Sequence, residues 1–390
     1  MSKGLDPYRY TTPIQGLSIP GTSLLPSIGY PPLWPFIAAA IYDVYSLIGI
    51  ESRFLYYFLL KQPMILGDVV AAFLIYKIVR NGVDLRSAER AFSFWMFCPF
   101  IIIISSIWGM FDQLVLVFVL AALVLLHRTL RGSVTEFVSI ILKGFPVVFL
   151  PVLSMGQITT RRRLAYFILA SGLALLFTLA PYSIFRGWNI AGLYGTGIDI
   201  VNKAANSINY GVVVFFLSSL SLIPQNWEPY WRLVGYAWVP AIVASYIFCF
   251  RNLKRERISA QYMVRALLFV TLVYFLTRLN LNEQFVVYFL GFGLIDISWG
   301  GSRRSRLFAG VWVSALVFLI ANNTYMVRFL APVSGYFTEL NNVLTSGGLQ
   351  YVRFGLMVAA GLAFTIFCVK YIASLYSELK AYKGSAAPVS

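Results

Sequence analysis

The sequence predicts an all-α, polytopic membrane protein with about ten membrane-embedded segments, some of them short or re-entrant. Three observations predict this class. Hydrophobic residues make up 59% of the 390 residues and charged residues only 12%, whereas about a quarter of a soluble domain is charged. The apolar residues form runs that approach the ~20 residues of a spanning helix. Basic residues gather in short clusters between those runs, which is the positive-inside pattern and not that of a nucleic-acid-binding surface.

The apolar runs divide the chain into a polar start, a membrane domain and a tail. We expect an exoplasmic N-terminal tail over 1–32, a transmembrane domain over 33–373 with a long exoplasmic loop at 186–232, and a cytoplasmic tail over 374–390. The predicted embedded segments are 33–49, 57–79, 92–108, 110–126, 134–154, 164–185, 211–223, 232–250, 264–280, 285–299, 307–325 and 351–373.

Basic residues sort the connections between segments into two faces. Connections rich in Arg and Lys are assigned to the cytoplasm. The exoplasmic connections are then 1–30, 108–112, 186–232, 280–284 and 325–353. This assignment requires that 134–154 enters and leaves on one side, that one of 33–49 and 57–79 does not cross fully, and that 211–223 is re-entrant or interfacial. Lys143-Gly144-Phe145-Pro146 breaks 134–154 in its middle, which favours the first condition.

Two polar constellations lie around the first apolar runs. Tyr30-Pro31-Pro32 opens the run at 33–49 with a pre-shaped turn, and the alternative is a plain helix start at the aromatic belt. Lys61 and Asp68 share a helix face if Pro63 starts that helix, and the alternative is an ion pair that joins two segments. Ionisable groups are costly in lipid, so the pair is a functional candidate.

A tight hairpin carries the third constellation. Gly109 permits the turn because it has no side chain. The turn presents Trp108, Asp112 and Gln113 at the predicted exoplasmic mouth. A structural aspartate that caps the following helix is the alternative.

The short link Asn282-Glu283-Gln284 carries the fourth constellation. Glu283 is suited to bind a cation, a sugar hydroxyl or a phosphate-bearing metal, and the alternative is a solvated loop carboxylate. The long connection 186–232 mixes aromatic residues with Asn, Asp and Arg. That mixture suits sugar rings and phosphates, and it also suits interface anchoring.

Taken in order, these motifs resemble those of GT-C-superfamily glycosyltransferases that use polyprenyl-phosphate sugars. The resemblance covers about residues 4–290 and rests on Tyr30-Pro31-Pro32-Leu33, Lys61-x-Pro63-x-x-x-x-Asp68, Trp108-Gly109-x-Phe111-Asp112, Lys143-x-x-Pro146 and Asn282-Glu283-Gln284-Phe285. It implies a GT-C-like fold in a cell membrane. It also implies inverting transfer of mannose or glucose from a polyprenyl-phosphate donor to a lipid-linked glycan or lipid acceptor at the exoplasmic face.

The family places a general base in its first exoplasmic loop, after a first transmembrane helix. Here Gly4-Leu5-Asp6-Pro7-Tyr8 already matches the stretch that follows that helix in relatives. We therefore expect that the first helix is either missing from this sequence or dispensed with, and that Asp6 substitutes for the base. An acceptor hydroxyl needs such a base because an alcohol is a poor nucleophile until its proton is removed.

The resemblance implies a complete set of site residues. The implied catalytic residues are Asp6, Asp112 and Glu283. The implied substrate-binding residues are Tyr30, Lys61, Asp68, Trp108, Gln113, Lys143, Arg186, Asn282 and Gln284. Relatives differ in the use of a divalent cation, and no compact acidic cluster demands one here, so metal dependence stays open. The implied partners are the donor, the acceptor and membrane lipids, with no nucleic acid.

Two other functions stay open at this point. A transporter or flippase of lipid-linked sugar should carry charged residues at mid-membrane and show repeat symmetry, whereas the polar motifs here lie at one face. A non-catalytic subunit with a GT-C-like fold is the other alternative.

Overall fold

The computed structural model describes residues 31–157, 159–186, 206–222, 234–253, 259–300, 302–322, 335–345 and 347–381. Within these ranges every regular element is a helix and no strand occurs. The first helices are α1 (Leu33–Ile48), α2 (Arg53–Gly82), α3 (Leu85–Phe97), α4 (Pro99–Ile102), a π-helical turn (Ile103–Trp108), α5 (Asp112–Val124), α6 (Thr129–Leu142), a 3-10 turn (Phe145–Phe149), α7 (Leu150–Met155) and α8 (Thr160–Arg186). The later ones are α9 (Gly211–Ser219), α10 (Trp238–Asn252), α11 (Ala260–Thr277), a 3-10 turn (Glu283–Phe285), α12 (Val286–Trp299), α13 (Ser302–Asn322), α14 (Tyr336–Thr345) and α15 (Gly347–Ala381).

Five of these helices are long and apolar enough to cross a membrane. They are Phe54–Gly82, Val234–Asn252, Ala260–Thr277, Arg303–Asn322 and Gly348–Ala381. The helices Leu85–Phe97 and Pro99–Trp108, bent by 40° at their junction, make a sixth if the pair is one broken span. The protein is therefore an α-helical membrane protein, as the sequence predicts. The total of about ten embedded segments stays a prediction.

The structure refines several predicted bounds. The predicted break in 134–154 is confirmed, because α6 ends at Leu142 and Lys143 adopts an extended conformation before a 3-10 turn. Pro63 lies inside α2 and does not start it. Helix α14 lies in what the sequence presents as a connection, and α15 continues past residue 373 into the predicted tail.

Helix α3 is the largest difference from the predicted segments. The predicted segments end at 79 and resume at 92, which leaves Arg86 and Arg90 in a basic connection, but both lie on this helix. Asp84 caps it, because its carboxylate accepts hydrogen bonds from the Ser87 amide at 2.9 Å and the Ser87 hydroxyl at 2.8 Å. A polar face thus begins the helix while Ala88, Ala91 and Trp95 are buried on its other side.

The described helices form two compact units. The first unit consists of the described residues within 1–67 and 114–198, and the second of those within 68–113 and 199–390. In the first unit α6 packs on α8 at Gly132, where an added Cβ would lie 3.0 Å from the Tyr166 ring. The Tyr166 hydroxyl donates to the Gly132 carbonyl oxygen at 3.1 Å, which ties the two helices together.

The second unit is built on α11, α12, α13 and α15. Buried aromatic side chains fill it, among them Phe275, Phe289 and Phe318. Helices α13 and α15 approach closely at Gly310, where an added Cβ would lie 2.5 Å from the Phe367 ring. This packing supplies a rigid frame for the polar groups at the helix ends.

An ion cluster joins all four of these helices. We use this name for Arg265 on α11, Asp296 on α12, Arg304 on α13, and Tyr371 and Glu378 on α15. The Asp296 Oδ1 atom accepts from Arg265 Nε and Arg304 Nη1, both at 2.9 Å, and Oδ2 accepts from the Tyr371 hydroxyl at 2.9 Å. Glu378 pairs with Arg304 at 2.6 Å and with Arg265 at 3.0 Å. Two cations and two anions balance each other in this cluster.

Candidate functional site

The candidate site is the polar link between α11 and α12 in the second unit, from Arg278 to Gln284. Helix α11 ends at Thr277, and Arg278 takes an extended backbone conformation. Asn280 and Asn282 follow, and Asn favours non-helical backbone because its side chain competes for local hydrogen bonds. The 3-10 turn at Glu283–Phe285 then starts the next helix.

A short segment that leads into the first residue of α9, Ser207–Gly211, clamps this link. The Asn209 amide nitrogen donates to the carbonyl oxygens of Phe275 and Arg278, both at 2.6 Å. Phe275 lies in the last turn of α11 and Arg278 is its C-cap, so neither carbonyl has an intrahelical donor. The Asn209 Oδ1 atom accepts from the Ser207 hydroxyl at 2.7 Å and from the Gly211 amide at 2.9 Å. A fully buried asparagine therefore satisfies the end of α11.

The clamp also holds the middle of the link. The Leu281 amide donates to the Ser207 hydroxyl oxygen at 2.9 Å, and the Ile208 amide donates to the Leu281 carbonyl oxygen at 2.9 Å. Gly211 passes so close that an added Cβ would lie 2.0 Å from the Leu279 carbonyl oxygen. Only glycine fits at position 211, because a side chain there would collide with the backbone of the link, which cannot turn aside as a flexible side chain could.

Glu283 is buried, with 2% of its surface exposed. The Asn322 amide at the end of α13 donates a hydrogen bond to its Oε1 atom. The alternative of a solvated loop carboxylate is therefore wrong. Gln284 is also buried, and its Oε1 atom has no hydrogen-bond partner among the residues that the structure describes. Asn282 is exposed.

Arg278 is one of the residues of this site that sequence reasoning missed, with Asn209 and Asn322. Its guanidinium carbon lies 5.2 Å from the Tyr274 ring centroid and 5.9 Å from that of Phe285. Within the described part of the chain, no hydrogen bond or ion pair reaches the guanidinium. Burial lowers the pKa of Arg278 from its ordinary value, yet a guanidinium keeps its charge in proteins. One sequence feature could have identified it. Arg278 is a single Arg at the end of the apolar run 264–280, on the face opposite the basic connections.

A second group of predicted residues surrounds the bend after α4, also in the second unit. The π-helical turn there ends at Gly109, which has a φ of 82°. Such turns are frequent at functional sites. Asp68 lies beside the Ser105 hydroxyl, and its Oδ1 atom has no hydrogen-bond partner among the described residues. Trp108 is partly exposed.

Asp112 and Gln113 begin α5 and are fully buried. The Gln113 amide nitrogen donates to the Ile101 carbonyl oxygen at 3.4 Å, while its Oε1 atom has no partner in the described ranges. Asp112 lies in the first turn, where a carboxylate complements the helix dipole. This position is compatible with both roles considered for Asp112, a structural one at the start of α5 and a functional one in the site.

The remaining predicted residues fall elsewhere. Lys143 is buried at the break after α6, and Lys61 is half-buried on α2, both in the first unit. Asp6 and Tyr30 lie outside the described residues, as do 187–205 and 223–232 of the long loop, and the side chain of Arg186 is not described. The structure thus brings Asn282, Glu283 and Gln284 together with residues that the motifs did not include.

Across the described ranges, no group of three or more His, Cys, Asp or Glu side chains is placed to hold a metal ion. In comparisons with known proteins, no protein-family model matches this chain and no curated protein matches it. What the link offers chemically is a buried carboxylate oriented by an amide and a guanidinium whose donors remain free of described partners. The first can accept a proton and the second can stabilise an anion.

Proposed function

We propose that this protein is an integral membrane hexosyltransferase of the cell membrane. It moves mannose or glucose from a polyprenyl-phosphate donor to a lipid-linked glycan or another lipid acceptor at the exoplasmic face. The observation that carries the proposal is the link from Arg278 to Gln284, where a buried, oriented Glu283 and a charge-bearing Arg278 follow one spanning helix. The motif order of the sequence supplies the reaction class.

The proposed reaction needs two kinds of groups. The acceptor hydroxyl oxygen attacks the anomeric carbon of the hexose, and its proton passes to a carboxylate. The bond between that carbon and the phosphate oxygen breaks, and the polyprenyl phosphate leaves with the electron pair. Glu283 and Asp112 are the proposed carboxylates within the described residues, and Asp6 is a further candidate. A cation beside the leaving phosphate lowers the barrier by stabilising its charge.

A transfer assay tests this function. Proteoliposomes containing the full chain receive radiolabelled polyprenyl-phosphate mannose or glucose together with a lipid extract from the source organism. We expect sugar transfer by the natural chain, and a loss of about 100-fold or more in Glu283→Gln and in Asp112→Asn. Glu51→Gln, which changes an exposed carboxylate, is the matched control and should transfer normally. Normal transfer by both site variants would overturn the site, and no transfer of either sugar by the natural chain would count against the function.

One observation favours a second function, the transport of lipid-linked sugar. Glu136 on α6 is fully buried, and neither carboxylate oxygen has a hydrogen-bond partner among the described residues. A buried carboxylate in a membrane-embedded helix is a common proton-relay element of transporters. Loss of lipid-linked sugar flipping in Glu136→Gln, with no transfer chemistry in the natural chain, would favour this reading over the transferase.

A further inference from the structure

The starting point is a charge imbalance within the second unit. Arg265 and Arg304 each contact two carboxylates in the ion cluster, so their burial is compensated. Arg278 is partly buried and forms no ion pair with a carboxylate among the described residues. A cation that loses water without gaining an anion is costly. A bound anion would remove that cost.

The ring contacts leave the hydrogen-bonding edge of Arg278 available. Tyr274 and Phe285 stand beside the guanidinium through cation–π contacts. These ring contacts supply no oxygen acceptor, so the N–H donors of the guanidinium have no hydrogen-bond partner among the described residues. That planar fork matches two oxygens of a phosphate, which it binds with two parallel hydrogen bonds.

The backbone beneath Arg278 is held in place before any ligand arrives. The Asn209 amide fixes the Arg278 carbonyl oxygen at 2.6 Å, and Gly211 packs against the next residue. A binding residue that is already ordered loses less entropy when its ligand binds.

The position of Arg278 along the chain indicates which phosphate it meets. It follows directly after the span Ala260–Thr277. The end of a span lies at the level of the lipid headgroups. A phosphate carried on a lipid therefore reaches this depth, with its apolar chain in the membrane.

We propose that the Arg278 guanidinium binds the phosphate of a polyprenyl carrier, as a diester in the sugar donor and as a monoester in the product. The identity of the carrier rests on the proposed hexosyltransferase function. Tyr274 and Phe285 orient the guanidinium, and the clamp Ser207–Gly211 positions its backbone.

A binding experiment tests this inference without measuring transfer. The full chain is placed in nanodiscs of phosphatidylcholine, and the binding of farnesyl phosphate is compared with that of farnesol, inorganic phosphate and phosphatidic acid. We expect farnesyl phosphate to bind best, and its Kd to rise about 10- to 100-fold in Arg278→Met. Arg278→Lys should lie between the two, because it keeps the charge and loses the fork. Arg90→Met, at an exposed arginine on α3, should bind as the natural chain does.

Several results would overturn the inference. Equal binding of farnesyl phosphate by the natural chain and by a folded Arg278→Met variant removes the site, and equal binding by Arg278→Lys removes the two-bond recognition by the guanidinium fork. Inorganic phosphate binding as tightly as farnesyl phosphate removes the lipid source, and phosphatidic acid binding as tightly removes the polyprenyl carrier. Arg278-dependent binding without sugar transfer by the natural chain would reject the hexosyltransferase alone, whereas transfer with Arg278-independent binding would reject this inference alone.

Discussion

Two regions of the second unit hold arginine away from water, and they do so in different ways. In the ion cluster, Asp296 receives two guanidinium groups and a tyrosine hydroxyl, and Glu378 closes the set. At the link, Arg278 lies against aromatic rings, and no described carboxylate forms an ion pair with it. The compensated cluster needs nothing further and joins four helices. The guanidinium of Arg278 keeps N–H donors that are available to a ligand, as a binding site requires.

The largest expected effect comes from breaking the compensated region. Asp296→Asn removes the shared anion and leaves the buried Arg304 and the largely buried Arg265 guanidinium groups poorly paired. We expect a loss of about 3–5 kcal/mol in the free energy of unfolding, because breaking a buried pair strands a charge. Thermal unfolding in detergent measures it. Glu378→Gln, whose carboxylate side chain is 34% exposed, should cost less. Unfolding of Asp296→Asn at the temperature of the natural chain would refute a structural role for the cluster.

The next effect comes from disturbing the clamp beneath the uncompensated arginine. Gly211→Ala places a methyl group 2.0 Å from the Leu279 carbonyl oxygen, so the link must shift. We expect a loss of about 1–3 kcal/mol in stability together with weaker binding of farnesyl phosphate. Gly172→Ala is the matched control at an exposed position of α8, where an added Cβ meets nothing within 4 Å. That control should be neutral or stabilising by up to about 1 kcal/mol. Identical behaviour of the two variants would show that the link tolerates displacement.

A third variant separates orientation of the carboxylate from binding of the phosphate. Asn322→Ala removes the amide that holds the Glu283 carboxylate. We expect transfer to fall, by less than in Glu283→Gln, because the carboxylate remains but is less well oriented. The Kd of farnesyl phosphate should not change. Parallel transfer and binding assays measure the two quantities, and a joint loss in both would show that Asn322 supports the whole link.

The smallest expected effect concerns Asp84, an exposed carboxylate that caps α3 through hydrogen bonds from Ser87. Hydrogen bonds from Ser87 hold the pKa of Asp84 below its ordinary value. Its folded pKa is depressed, so its stabilising contribution is present above the unfolded pKa of about 3.9 and is lost as pH falls through the folded pKa. Asp84→Ala should therefore lower the Tm at pH 7 slightly, by less than any variant above. At about pH 3 the gap between the two proteins should narrow, and a gap that widens on acidification would contradict this assignment.

The predictable part of this protein depended on local patterns. Long apolar runs predicted α2, α11 and α13, and the Lys143-Gly144 break appeared where the sequence placed it. The turn at Gly109 and the link at Glu283 also followed from local motifs. These features come from a few neighbouring residues, so a single sequence contains the information that they need.

The unpredicted part depended on contacts between distant residues. Asn209 contacts a carbonyl 66 positions later, and Arg304 contacts an acid 74 positions later. The polar face of α3 resembled a basic loop, because Arg and Glu residues interrupt the apolar run while the buried residues recur only once per turn. No local sequence pattern identifies which distant residues will form these contacts.

By itself the sequence determined that this chain is helical and lies in a membrane, because composition and run length decide how much apolar surface each segment presents to lipid. It also determined which short links carry carboxylates and amides. Only the tertiary structure decided which buried charges are compensated. Arg265 and Arg304 form ion pairs with Asp296 and Glu378, whereas Arg278 contacts two aromatic rings. The packing of α11, α12, α13 and α15 sets the distances between these side chains. The role of a charge in a membrane protein depends on its neighbours, and folding chooses them.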